Sequence, residues 1–151
     1  MSFSAKEQRA RAAAFAGLVA ALLAASAVPA QEAGVVARDA WVRKPAPSKH
    51  DAALFVVVEN HTAQKRKIIG VTTDAASVAE MHEMRMEKMT MSMIPISELS
   101  IPAHGKTTLN PDRYHIMLFG LKTRPAIGDV INATLKLDDG TTVPVTATVR
   151  K

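Results

Sequence analysis

Thirteen consecutive positions, Met81 to Met93, hold six methionines and one histidine, and a second histidine and methionine stand together in His115-Ile116-Met117. Thioether sulfur and neutral imidazole nitrogen are uncharged, comparatively soft donors. Such a set disfavours magnesium, calcium and manganese and competes poorly for zinc; it suits Cu(I), whose filled d shell accepts it without demanding planarity, and Ag(I) as a mimic. The chain has eight methionines, five histidines and no cysteine. It is therefore expected to carry no disulfide, thiolate zinc site, iron–sulfur cluster, cysteine-linked lipid anchor or blue-copper electron-transfer centre.

Those donors need elements that bring them together. His82, Met84 and Met86 alternate with polar residues, as do Met89, Met91 and Met93, and a period of two is that of a strand. The parity switches between Met86 and Met89. A tight hairpin centred on Glu87-Lys88 produces that switch, pairing Met86 with Met89, Met84 with Met91 and His82 with Met93 on one face. Directly opposed residues have Cβ atoms about 4.5–5.5 Å apart, close enough to grip one ion. A helix is the competing assignment, because Met81, Met84 and Arg85 have helical spacing and methionine is a good helix former; the alternation favours strand. In Tyr114–Leu121, His115 and Met117 share a face while Ile116 points into the core.

Taken singly, each residue has a structural explanation: a methionine as flexible core filler, a histidine as a satisfied half-buried ring. Joint spacing selects His82, Met93, His115 and Met117 as metal ligands, with Met84, Met86, Met89 and Met91 as a secondary thioether set or as packing. His50, His61 and His104 lie in turn-like segments and read as surface residues, and Lys65-Arg66-Lys67 reads as a solvated turn.

Around these residues the chain reads as an exported all-β protein. Lys6, Arg9 and Arg11 precede the uncharged apolar run Ala12–Ala27, and Val28-Pro29-Ala30 leads into polar Gln31-Glu32. That order is the order of a secretory signal peptide, residues 1–30, with cleavage after Ala30 or Ala27. The run is too short and alanine-rich for a spanning anchor, so the mature chain is expected in the periplasm without stable membrane insertion. Net charge falls from +5 to +3 once the leader is removed, too little for a nucleic-acid surface. From Gly34 onward short β-branched runs alternate with turn chemistry such as Asn110-Pro111-Asp112 and Asp138-Asp139-Gly140. Seven to nine strands at this spacing predict a single-domain β-sandwich over residues 31–151. There is no glycine-rich phosphate loop, nucleophile elbow or paired-carboxylate motif, so an enzyme is not expected.

The spacing His82-x10-Met93-x21-His115-x-Met117 resembles the H-x10-M-x21-H-x-M signature of the PCuAC-type periplasmic copper chaperones. The likeness extends to Ala52–Asn60, similar to that family's early strand ending in asparagine, and to His115–Leu121, similar to its ligand strand. The resemblance implies a cupredoxin-like Greek-key β-sandwich with an exposed Cu(I) site at those four residues. It also implies a monomeric carrier that delivers copper to the CuA centre of a haem-copper cytochrome c oxidase, or to another copper-assembly protein. Some members of that family carry a His- and Met-rich C-terminal tail, which is not expected here, where the sequence reads Arg150-Lys151, and the extra methionines are a second departure. Two other functions fit the same residues: a copper-buffering or resistance protein with no dedicated acceptor, and a metal-free sandwich presenting its methionine face to a protein or lipid partner.

Overall fold

The computed structural model describes residues 34–151; the predicted signal peptide, residues 1–30, lies outside them. Among the described residues there is no helix, and ten strands follow one another: β1 (Val35–Arg43), β2 (Ala52–Asn60), β3 (Arg66–Thr72), β4 (Ala76–Glu87), β5 (Thr90–Ile96), β6 (Leu99–Ile101), β7 (Gly105–Leu109), β8 (Tyr114–Leu121), β9 (Val130–Leu137) and β10 (Thr142–Arg150). They are hydrogen-bonded in the order β5-β4-β8-β2-β1-β10-β9-β3-β6, with β7 paired to β2. The β1–β10 contact is parallel, joining Trp41 to Thr148 and Arg43 to Arg150, so the two halves of the ribbon close over one core as a sandwich.

Alternation along each strand decides what that core contains. Leu54, Val56 and Val58 of β2, Ile116 and Leu118 of β8, Leu135 and Leu137 of β9, and Val143, Val145 and Val149 of β10 are all buried in one cluster. Their neighbours at odd offsets face outward. On β8 these are His115, Met117 and Phe119, so the position of Ile116 in the core fixes the candidate ligands on the outer face.

The expected strands are present, with three corrections. Arg66 and Lys67 open β3 instead of a solvated turn, held by Asp139 at 3.4 Å and Glu98 at 2.9 Å. The segment around Pro102 is flanked by two short strands, β6 and β7, not read from the sequence. The hairpin is real, but its turn is Lys88-Met89, not Glu87-Lys88. The ladder pairs Met86 with Met91, Met84 with Met93 and His82 with Pro95. Met89 thus leaves the ladder for the tip, where it is 96% exposed.

Both turn residues have positive φ, 47° for Lys88 and 64° for Met89, the type I′ geometry that suits a two-residue hairpin and that Asn-Gly adopts most readily. A Lys88→Asn/Met89→Gly double variant is therefore expected to stabilise the arm by about 1–2 kcal/mol. Amide hydrogen exchange of residues 84–93 is expected to slow; unchanged exchange would show that the turn carries no strain.

Candidate metal centre

The outer face of β5-β4-β8-β2-β1 carries one row of side chains. Register places His82 directly opposite His115 across β4–β8, and Trp41 opposite Phe55 across β1–β2. The ring centroids are 5.6 Å apart for His82–His115, 6.3 Å for His115–Phe55 and 4.5 Å for Phe55–Trp41. Phe119 flanks His82 at 5.8 Å, and the Arg43 guanidinium lies 5.6 Å over Phe55. These rings make an apolar floor, and His82 and His115 are buried in it at 6% and 4% exposure.

The thioethers stand at the edges of that floor. Met117 lies two residues beyond His115 on the same face and opposite Glu80. Met93, opposite Met84, is diagonal to His82, whose direct partner is Pro95. Diagonal Cβ atoms are about 7–8 Å apart, which long side chains span. The structure thus brings His82, Met93, His115 and Met117 to one face even though His82 and Met93 are not directly opposed. Met93 is half exposed while the histidines are buried, so the set has imidazoles below and a thioether open to solvent.

Two features prepare the imidazoles. His82 Nε2 lies 3.0 Å from Glu80 Oε2; a carboxylate only accepts, so Nε2 donates, and in the neutral ring Nδ1 is the nitrogen that bears the lone pair. That Nδ1 is buried with no hydrogen-bond partner among the described residues, so its lone pair is not committed to another side chain. For His115, burial holds the pKa below its ordinary value, assisted by the neighbouring His82 and the Arg43 charge. The ring therefore keeps a free lone pair where an exposed imidazole is already protonated.

That shift has a consequence for the metal-free protein. A lowered folded-state pKa means that the unfolded chain binds more protons below about pH 6.5. The stabilising contribution of neutral His115 is full above that value and is lost as pH falls through it toward the lowered folded-state pKa. The melting temperature of the apoprotein is expected to fall from pH 7 to pH 5, and less so for His115→Gln. Equal pH slopes for the two proteins would contradict the assignment.

The donor chemistry fits a soft ion. Among the described residues there is no group of three or more His, Asp or Glu side chains placed to hold a metal, and the donors that accompany His82 and His115 on this face include the thioethers of Met93 and Met117. Of the other histidines, His50, His61 and His104 are exposed, as expected. His61 pairs with Glu59 at 3.1 Å, and the His104 backbone N–H bonds Thr62 near the Asn60–Gly105 end of β2, away from the Phe55–His115 row. Asn60, which ends β2, is structural: its Oδ1 accepts from Thr62 N–H at 3.0 Å and its Nδ2 donates to Gln64 O at 2.8 Å. Sequence reasoning missed Glu80, Phe119, Phe55 and Arg43. Only Glu80 left a trace, two residues before His82 and hence on its face.

A family described as "Putative lipoprotein LpqE-like" matches residues 35–149. "Putative lipoprotein Lxx21020" of Leifsonia xyli is 34% identical over 131 residues, covering 85% of this chain and 78% of its own. The solution structure of CuI-DR1885 from Deinococcus radiodurans is 36% identical, with a TM-score of 0.56 and coverage of 74% of this chain and 75% of that one. The copper-bound PCuAC domain from PmoF2, 19% identical, superposes with a TM-score of 0.63 over 76% of this chain and 90% of that one. The architecture is accordingly the cupredoxin-like β-sandwich.

Proposed function

This chain belongs to the LpqE-like family, and from that membership and the geometry above we propose that it is a periplasmic Cu(I) chaperone holding its cargo at His82, Met93, His115 and Met117. The observation that carries this is the direct opposition of His82 and His115 on β4 and β8 with Met117 at i+2 and Met93 on the adjacent diagonal. The Cu(I)-loaded relative supports the choice of ion. Export follows from the leader-like residues 1–30 and is consistent with the lipoprotein names of the relatives; cleavage after Ala30 or Ala27 leaves the sandwich as the carrier domain.

The arrangement suits release as well as capture. Thioethers are neutral and bind weakly one at a time, so an acceptor offering thiolates displaces them in steps. Met93, the most exposed of the four, leaves first. The acceptor thiolate enters there, Met117 follows, and the buried imidazoles let go last. The apolar floor of Phe55, Trp41 and Phe119 keeps water from competing behind the ion. The acceptor is the CuA centre of a haem-copper oxidase subunit or another copper-assembly protein.

Glu80 sets the tautomer of His82, so Glu80→Ala is expected to weaken Cu(I) binding about 10–100-fold. Imidazole 15N shifts of the apo-variant are expected to show a mixture of tautomers in place of one. An unchanged affinity together with an unchanged tautomer would remove Glu80 from the site. The function itself is tested by mixing Cu(I)-loaded protein with the apo CuA fragment under reducing conditions. Copper moving to the fragment is expected, and faster movement when Met93 is replaced by leucine, because the position where the thiolate enters is then already open; retention of the copper would favour a buffering protein with no dedicated acceptor.

A further inference from the structure

Resting on the reading of this chain as a Cu(I) carrier, we propose that its β4–β5 arm holds a second, more labile site for a soft monovalent ion, formed by Met84, Met86 and Met91 and adjoining the first site through Met93. β8 begins at Tyr114, opposite Glu83, so residues 84–93 project past it as a two-stranded arm. One face of that arm is Met84 and Met86 on β4 and Met91 and Met93 on β5, in the directly opposed pairs Met84–Met93 and Met86–Met91. The two-residue turn makes Glu87–Thr90 the closing hydrogen-bonded pair, so both methionine pairs are of the non-hydrogen-bonded kind, whose side chains approach most closely. The Met84 N–H accordingly points the other way and donates to Arg113 O at 2.6 Å.

These methionines are not core filler. Met86 is 65% exposed, Met91 48% and Met93 51%, whereas Met81 on the inner face is 5% exposed. Methionine also serves adaptable protein-binding faces, but apolarity alone gives no reason for sulfur at every position in place of the β-branched and aromatic residues that strands favour. Here all four positions are methionine, the one unbranched apolar side chain with a donor atom and three flexible bonds. Sulfur is what they share. Without nitrogen or charge, a thioether set binds a soft monovalent ion more weakly than the mixed His/Met site beside it. The shared position of Met93 then gives a path by which an ion captured on the arm reaches the histidines. Met89, at the tip and outside the ladder, is not part of the site.

Titration of the full chain with silver nitrate, followed through methionine ε-methyl and histidine ring resonances, tests this. The first equivalent is expected to move Met93, Met117, His82 and His115, and the second Met84, Met86 and Met91. Met86→Leu/Met91→Leu, which conserves volume and so keeps the fold, is expected to lose the second equivalent and retain the first. Met84, Met86 and Met91 methyls that stay unmoved at two equivalents, as on a face serving a protein or lipid partner, would overturn the proposal. So would undiminished capacity in the double variant. Failure of the first site reads out separately, as unmoved His82 and His115 rings.

Discussion

Replacing His115 by alanine is expected to lower Cu(I) affinity at least about 100-fold, beyond the 10–100-fold that follows loss of a partner that merely supports a ligand. The side chain is buried between His82 and Phe55 and its lowered pKa keeps it neutral, so no nearby group substitutes for it. Competition with a chromophoric Cu(I) chelator under reducing conditions measures the change. His104→Ala, at an exposed turn, serves as the comparison and is expected to leave affinity unaltered. A loss of less than about tenfold for His115→Ala would remove that residue from the coordination set.

The second large effect is on stability. Ile116, fully buried between the two candidate ligands of β8, is the anchor that holds His115 and Met117 outward. Ile116→Ala is expected to cost about 2–5 kcal/mol, the transfer term plus the cavity left in a sheet that relaxes only in part. Urea unfolding is expected to show a lower midpoint with an unchanged slope. A loss below about 1 kcal/mol would mean that the core closes over the gap, and that β8 is not fixed by this residue.

Much of this is legible in the sequence, for identifiable reasons. Runs such as Leu54–Val58 and Val143–Val149 declare strands through their β-branched and aromatic residues, and Gly140, with φ of 85°, marks its hairpin turn. The shared face of the histidines and methionines is legible because period two survives a two-residue slip in register. The partners are not. Lys88-Met89 contains neither Asn nor Gly, so nothing local distinguishes it from Glu87-Lys88, and the hairpin register read from the pattern is two residues off. The opposition of His82 to His115 depends on β4 pairing with β8 across more than thirty residues of chain, which no local pattern encodes. Strands β6 and β7 are too short, at three and five residues, to show a period beside Pro102. Glu80 escapes a reading of the sequence because an acidic residue on a strand ordinarily faces water; only the fold sets its carboxylate against His82.

One Cu(I) is expected among two imidazoles and two thioethers on the outer face of β4, β5 and β8. X-ray absorption at the copper edge on protein loaded with one equivalent of Cu(I) tests it most directly. Two nitrogen and two sulfur neighbours are expected, with one sulfur lost in Met117→Leu and one nitrogen lost in His82→Ala. Coordination by oxygen and nitrogen alone, or a sulfur shell that Met117→Leu leaves intact, would contradict it.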